Sequence, residues 1–410
     1  MHSKFKHILR IIQEDLVKSV DKRQSFFLLG PRQVGKTTLI QELLAGNSDV
    51  HSIPLQDPNL RLAYERDPGL LTRQFSVTGT HKTIFIDEVQ KVPELLDAAQ
   101  LLIDEKKANF ILTGSSARKL RKSGANLLPG RVKSFHMDPL MWGELGWIKE
   151  QSCPELALPP LETEVRFSLD ESLIFGSLPG ILSLPNAQDR KDFLQAYATL
   201  YLEEEIRAEA LTRKVGAFSR FLELAAQESG TSPNLSKLSM EAGVSVPTLR
   251  EYYSILQETL VLERIDPYLK NSRKRILSMP RYYFFDIGVR NALARMPLES
   301  AAAQMLKGPL FEHAVMLEII RRVRAMRKDW RVCFWRTAAG AEVDCIIDMG
   351  ERVIPIEIKA SRSVRKADVK GLSIFLADYP IVAKQGYVIT MGDVPERLAE
   401  NIVAIPWNFL

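Results

Sequence analysis

The stretch that most constrains this chain is a short apolar run, Phe26-Phe27-Leu28-Leu29, followed at once by Gly30-Pro31-Arg32-Gln33-Val34-Gly35-Lys36-Thr37-Thr38. A loop closed by two glycines lets backbone N–H groups converge on phosphate oxygens, and the helix that follows adds its positive end. In that arrangement Lys36 neutralises the β- and γ-phosphates of a nucleotide and the Thr37 hydroxyl is offered to Mg²⁺. Gly30 through Thr38 are therefore the expected nucleotide-binding residues. The loop requires a strand before it and a helix after it, which commits residues 1 to about 145 to a parallel sheet covered by helices.

Two further apolar runs fit that sheet. Thr83-Ile84-Phe85-Ile86 ends in Asp87-Glu88, and Asn109-Phe110-Ile111-Leu112-Thr113 ends in Gly114-Ser115-Ser116. Buried parallel strands deliver functional groups at their carboxyl ends, so the site is expected there. Asp87 suits a carboxylate that holds Mg²⁺ with Thr37, and Glu88 suits a group that polarises the attacking water. Thr113 or Ser115 is placed to sense the γ-phosphate. Arg118 and Arg131 are candidates to stabilise charge in the transition state, from the same subunit or a neighbouring one. No Asn-Lys-x-Asp guanine-reading pattern occurs, which favours ATP over GTP.

A chain of 410 residues is too long for one ordinary core and implies roughly two to four domains. With 46% hydrophobic and 26% charged residues, and no apolar run near the roughly 18 residues that span a bilayer, no membrane association is expected. The start of the chain has no signal-peptide apolar region, so a cytoplasmic location is expected. Cys153, Cys333 and Cys345 lack the spacing of a zinc site or disulfide framework and are expected to be buried thiols. The net charge of +5 says little by itself, but basic residues cluster at Lys270 to Arg275 with Arg281, and again from Arg321 to Arg331.

Leu235 to Ser245 and Val246 to Gln257 read as helix, tight glycine turn and helix, with Leu238, Ala242, Leu249, Tyr253 and Leu256 on one apolar face. Leu260 to Ile265 and Tyr282 to Phe285 read as strands that bracket the basic segment, giving a helix-turn-helix with a β-hairpin wing. DNA is the favoured ligand of this unit; a protein-interaction module is the other reading. Further on, Glu312 lies near the start of a helix, Asp344 in one strand, and Glu357 and Lys359 on the same face of another. These four residues are candidates for a second site, holding a divalent metal with Lys359 positioning water.

The segments Leu29 to Thr38, Phe85 to Leu95, Leu112 to Ser116 and Pro129-Gly130-Arg131 resemble those of AAA-type ATPases, and more closely a prokaryotic ATPase family with a C-terminal domain of unknown function. The resemblance implies an AAA-like core with nucleotide-binding residues at Gly30 to Thr37, Asp87 and Glu88 as the acidic pair and Ser115 as a sensor. The Asp344, Glu357 and Lys359 pattern with Glu312 resembles the restriction-endonuclease-like superfamily. The expected architecture is an α/β, AAA+ P-loop parallel sheet with helices on both faces (1–150), a helical lid or linker (151–230), a winged-helix domain (231–295) and an α/β endonuclease-like C-terminal domain (296–410). The expected activity is Mg²⁺-dependent ATP hydrolysis, with Lys36, Glu88 and Arg131 as the catalytic candidates, used to bind or remodel DNA, including branched or single-stranded forms. A regulatory ATPase whose C-terminal region binds protein, and an ATP-gated nuclease with a second divalent metal, are the alternatives. Arginines acting in trans would require a homo-oligomer, as in a ring.

Overall fold

Strands β1 (Phe26–Leu29), β2 (Val50–Pro54), β3 (Lys82–Asp87), β4 (Ala108–Gly114) and β5 (Lys133–His136) form a sheet in the order β2-β3-β4-β1-β5, parallel at every pairing. The computed structural model describes residues 8–76, 82–116, 128, 130–163, 167–202, 215–269 and 279–410. Helices α1 (Gln13–Asp21), α2 (Lys36–Leu43), α3 (Pro58–Arg66), α4 (Gly69–Ser76) and α5 (Leu95–Asp104) accompany the sheet. Successive side chains of a strand point to opposite faces, and the two cores divide accordingly. Phe26, Leu28, Phe85 and Ile111 pack with Leu16 of α1 and Leu39 and Ile40 of α2. Phe27, Ile84, Ile86, Phe110 and Leu112 pack with Tyr64, Leu71, Leu95 and Leu102 of α3, α4 and α5. Helices therefore cover both faces, as expected.

The next stretch is helical: α6 (Leu169–Phe175), α7 (Pro179–Leu182), α8 (Ala187–Ala196), a π-helical turn (Tyr197–Leu202) and α9 (Val215–Gln227). Then α10 (Leu235–Ala242) and α11 (Val246–Glu258) meet at a turn where Gly243 takes φ 69°, a left-handed conformation that costs a Cβ-bearing residue energy. Asn234 and Ser245 cap the two helices through their side-chain oxygens. Leu238, Ala242, Val244, Leu249, Tyr253 and Leu256 are buried, the face the apolar spacing foretold. Strands β6 (Leu262–Pro267) and β7 (Arg281–Phe284) follow and pair antiparallel. The basic segment Lys270 to Arg275 lies outside the described residues.

The C-terminal part contains α12 (Ile287–Leu293), α13 (Ser300–Met305), α14 (Lys307–Ala325), β8 (Arg331–Arg336), β9 (Glu342–Asp348), β10 (Val353–Lys359), α15 (Lys370–Asp378), β11 (Gly386–Thr390), β12 (Glu396–Ala399) and β13 (Ile402–Pro406). Its sheet does not end at β8. Asp266 and Pro267 of β6 pair parallel with Cys333 and Phe334 of β8, so the hairpin after α11 extends the sheet to the order β12-β13-β11-β10-β9-β8-β6-β7. One apolar core runs from Leu16 of α1 and Phe26 of the first sheet through Phe221, Leu249 and Phe311 to Leu410.

Helix α14 threads this core. Glu318 and Arg322 form a buried ion pair at 2.8 Å; Glu318 also accepts from the Trp142 N–H, and Arg322 donates to the carbonyls of Leu156 and Leu410. Arg321 donates to the carbonyls of Leu140 and Phe285. Arg324 reaches Asp138 at 2.5 Å and Glu263 at 2.8 Å. The run from Arg321 to Arg324, part of a basic cluster in the sequence, is thus interior cement: guanidinium groups satisfy carbonyls and carboxylates of five other segments, at residues 138–140, 156, 263, 285 and 410. Arg281 is likewise buried, paired with Glu342, instead of lying on an exposed wing. The cysteines are buried free thiols, and burial pushes the Cys153 thiol up to about 12.

Candidate functional site

Between β1 and α2 the chain makes a tight loop that only particular residues accept. A Cβ on Gly30 would stand 2.2 Å from the Met137 carbonyl oxygen, and Gly35 takes φ 93°. Gln33 also lies in the left-handed region, at φ 64°, a cost of about 1–2 kcal/mol for an L-residue. Val34 turns inward and is fully buried, anchoring the loop while Gln33 and Thr38 face water. Lys36, 5% exposed, donates through Nζ to the carbonyls of Gly30 at 2.9 Å and Pro31 at 2.8 Å. Its ammonium is held across the mouth of the loop.

The acidic pair stands opposite. Asp87 ends β3 and accepts from Thr37 Oγ1 at 2.9 and 3.1 Å, from Thr113 Oγ1 at 2.5 Å and from Gln56 Nε2 at 3.3 Å. Glu88 adopts φ 60°, turning its side chain away from the strand direction. It accepts from Ser115 Oγ at 2.9 Å and from the Gln90 amide, which also donates to Ser115 at 3.0 Å. Burial works against charge on Glu88, but the Lys36 ammonium, the Gln90 and Ser115 donors and Arg32 outweigh it and hold the carboxyl below the usual glutamate range. Glu88 is therefore an ionised acceptor near the lysine. Thr37 and Asp87 bring hydroxyl and carboxylate oxygens together, the hard donor set that Mg²⁺ takes.

Neighbouring segments brace the loop from outside. Arg10 donates to the Val34 carbonyl at 2.9 Å and the Asp138 carbonyl at 2.6 Å, and its Nε lies 3.1 Å from Glu144. The Tyr197 hydroxyl donates to the Arg32 carbonyl at 3.4 Å.

The second expected constellation also converges. Glu312 lies on α14, Asp344 on β9, and Glu357 and Lys359 on β10. Lys359 Nζ donates to Glu357 at 2.7 Å, the Ile358 N–H to Asp344 at 2.8 Å and the Tyr283 hydroxyl to Glu312 at 3.3 Å. Burial, then the neighbouring Asp344 charge, raises both Glu312 and Glu357 to about 7; burial raises Asp344 too. The expected second divalent cation does not find a formed site. Among the described residues no three His, Cys, Asp or Glu side chains are grouped so as to hold a metal. The charges of Lys359 and Arg281 already lie on these carboxylates, Arg281 Nη1 being 3.8 Å from Glu312.

Residues 22–146 match the family model described as an AAA domain. Residues 22–146 are an AAA domain, and the chain is an ATPase. The rest of the ATPase matches two models that carry no function, domains of unknown function over residues 166–300 and 307–410. Uncharacterized proteins of Mycobacterium tuberculosis and Mycobacterium bovis are each 25% identical over 94% of this chain and 85% of their own length. Among solved structures, a Walker-type ATPase of Pyrococcus abyssi aligns with a TM-score of 0.45 and 15% identity, over 68% of this chain and 94% of its own. The replication initiator DnaA aligns at 0.32 and 15%, over 62% and 90%.

Within the ATPase, the loop residues Gly30 to Thr37, Asp87, Glu88, Thr113 and Ser115 come together as expected. Arg131 does not join them. It precedes β5, whose Lys133 sits beside Phe26 at the start of β1, the opposite end of the sheet from the loop, and it pairs with Asp104 at 2.6 Å. Parallel strands place their beginnings and ends on opposite edges, so Arg131 does not reach the loop of its own chain. Arg118 lies outside the described residues. Gln90, Gln56, Arg10 and Tyr197 were not expected; Gln90, two positions after Glu88, is the one a local reading of the acidic strand end had within reach.

Proposed function

We propose that this ATPase uses nucleotide turnover to bind or remodel DNA. The observation that carries the reading is the strand pairing of β6 with β8: it joins the helix-turn-helix unit, read as a winged helix with the basic segment Lys270 to Arg275 as its wing, to the sheet bearing Glu312, Asp344, Glu357 and Lys359. Nucleic acid gripped at the hairpin would lie along the same sheet. Arg250 and Glu251 on α11 remain exposed, as a recognition helix needs.

In hydrolysis, Lys36 and the loop N–H groups hold the β- and γ-phosphates; Thr37 and Asp87 are the residues that would hold Mg²⁺, which would supply charge neutralisation on those phosphates. Glu88, kept ionised by its donors, orients the attacking water and takes up its proton; Ser115 links Glu88 to the strand tip nearest the γ-phosphate. Arg131, partly exposed in its pair with Asp104, is available to a neighbouring subunit of an oligomer. Gel-shift and ATPase assays with duplex, single-stranded and branched DNA at stated salt test the proposal. Binding with stimulated turnover supports it, and neither binding nor stimulation by any of the three ends it.

The convergence of Glu312, Asp344, Glu357 and Lys359 favours one second reading, an ATP-gated nuclease. Plasmid nicking in Mg²⁺ or Mn²⁺ that disappears in Lys359→Ala supports it; nicking that survives the substitution identifies a contaminant.

A further inference from the structure

A guanidinium leaves water only where its charge and its N–H groups are matched. Arg10, ahead of α1, is 7% exposed, and its fork reaches three different segments. Nη1 donates to the Val34 carbonyl at 2.9 Å, Nη2 to the Asp138 carbonyl at 2.6 Å, and Nε lies 3.1 Å from Glu144. Glu144, 2% exposed, balances the charge and is itself fixed, its two oxygens accepting from the N–H groups of Ile11 and Met141. Asp138 is fixed from its other side, since its carboxylate pairs with Arg324 of α14, which also pairs with Glu263 of β6. Arg10 therefore ties one carbonyl of the phosphate loop to a frame made by the end of β5 and by α14.

The carbonyl it holds has a consequence for phosphate. In a trans peptide the C=O and the N–H of the next residue point in opposite directions. With the Val34 carbonyl turned to Arg10, the Gly35 N–H points away from Arg10. Gly35 is the N-cap of α2, so this N–H belongs to the group that converges on an anion at a helix N-terminus. Glycine, at φ 93° here, offers little steric resistance to a flip of that peptide, which would turn an acceptor toward the phosphates. We infer that Arg10 is a positioning residue for ATP hydrolysis: by holding the Val34 carbonyl it keeps the Gly35 N–H aimed at the phosphates, while Glu144 keeps the guanidinium in place. The inference rests on residues 30–37 being the phosphate site. A lysine is no substitute, because a single ammonium lacks the planar fork that spans both carbonyls and the carboxylate.

The test measures binding of a non-hydrolysable ATP analogue and of inorganic tripolyphosphate, each with Mg²⁺, to the full chain, beside a urea unfolding curve for each variant. Arg10→Lys keeps a positive charge beside Glu144 but loses the fork. It should weaken both ligands alike, by about tenfold or more, at a urea midpoint close to the parent's. Arg10→Gln combined with Glu144→Gln removes both buried charges together; it should do the same, and it decides if Arg10→Lys fails to fold. A purely structural role instead lowers the midpoint and leaves the affinities of the folded protein unchanged, and that result overturns the inference, as does loss of the ATP analogue alone. Lys36→Ala separates the two readings. Tripolyphosphate binding that survives it removes the phosphate-loop reading and this inference with it, whereas binding lost in Lys36→Ala and kept in Arg10→Lys removes the role of Arg10 alone.

Discussion

Glu88 in the phosphate site and Glu357 in the C-terminal cluster are equally withdrawn from water, at 7% exposure each, yet their carboxyls are displaced in opposite directions. Burial penalises the charged form of both. Glu88 offsets it with a nearby lysine, two side-chain donors and an arginine. Glu357 has Lys359 alone among donors, leaves Oε2 without a hydrogen-bond partner and faces the like charges of Asp344 and Glu312. Exposure therefore does not decide protonation in this protein; the count of donors against like charges does. The first site is set up to hold a negative acceptor, the second to share protons among acids until a cation or ligand intervenes.

The largest expected effect is on the first side of this contrast. Glu88→Gln should lower the rate constant for ATP hydrolysis by about 10²–10⁴-fold with ATP affinity retained, as single-turnover and binding measurements on one preparation would show. Lys36→Ala should cost about 10²–10³-fold in kcat/KM, with nucleotide affinity lost as well. If Glu88→Gln instead abolishes binding and spares the chemical step, the assigned roles are reversed. Gly30→Ala forces a methyl group onto the Met137 carbonyl and should destabilise the fold by about 1–3 kcal/mol, seen as a lower midpoint in urea.

A pH series sharpens the comparison further. Glu357, raised to about 7 in the folded state against 4.5, contributes stability that is complete below about 4.5 and lost as pH rises through 7. Glu88, held below 4.5, contributes stability present above 4.5 and lost as pH falls through its depressed folded value. In thermal unfolding, Glu357→Gln should therefore gain on the parent as pH rises from about 4.5 to 7. Glu88→Gln should lose on the parent across neutral pH and recover toward acid. Slopes of the same sign for the two variants would contradict the donor argument. The smallest effect is expected of Ser115→Ala: one donor to Glu88 is removed, at about 1 kcal/mol, and the acidic limb of the kcat/KM profile should move to higher pH.

The central strands were legible because each is an unbroken apolar run that must be buried on both faces: Phe26 to Leu29, Thr83 to Ile86 and Phe110 to Leu112 match β1, β3 and β4. The edge strands were not. Val50-His51-Ser52-Ile53-Pro54 and Lys133-Ser134-Phe135-His136 bury only part of their residues, so no local hydrophobic pattern separates them from loop. The phosphate loop was readable to the residue because its geometry is local. Arg10 and Tyr197, which brace the same loop, come from segments whose approach depends on packing of the whole chain. That the arginines from 321 to 324 of the basic cluster are interior was not readable for the same reason: charge is visible in sequence, the partner that neutralises it is not.

What the sequence by itself determined is the chemistry that consecutive residues can perform: a glycine-closed loop with Lys36 and Thr37 after a buried strand, an Asp87-Glu88 strand end, and a helix–turn–helix with Gly243 at the bend. These follow from backbone sterics and short-range periodicity, which act within a few residues. Only the tertiary structure decided that Arg131 lies at the far edge of the sheet, that the β6–β7 hairpin belongs to the C-terminal sheet, and that Glu88 and Glu357 hold their protons so differently. Each of those depends on which distant groups are brought to within a few ångströms, where hydrogen bonds and charges exert their effect.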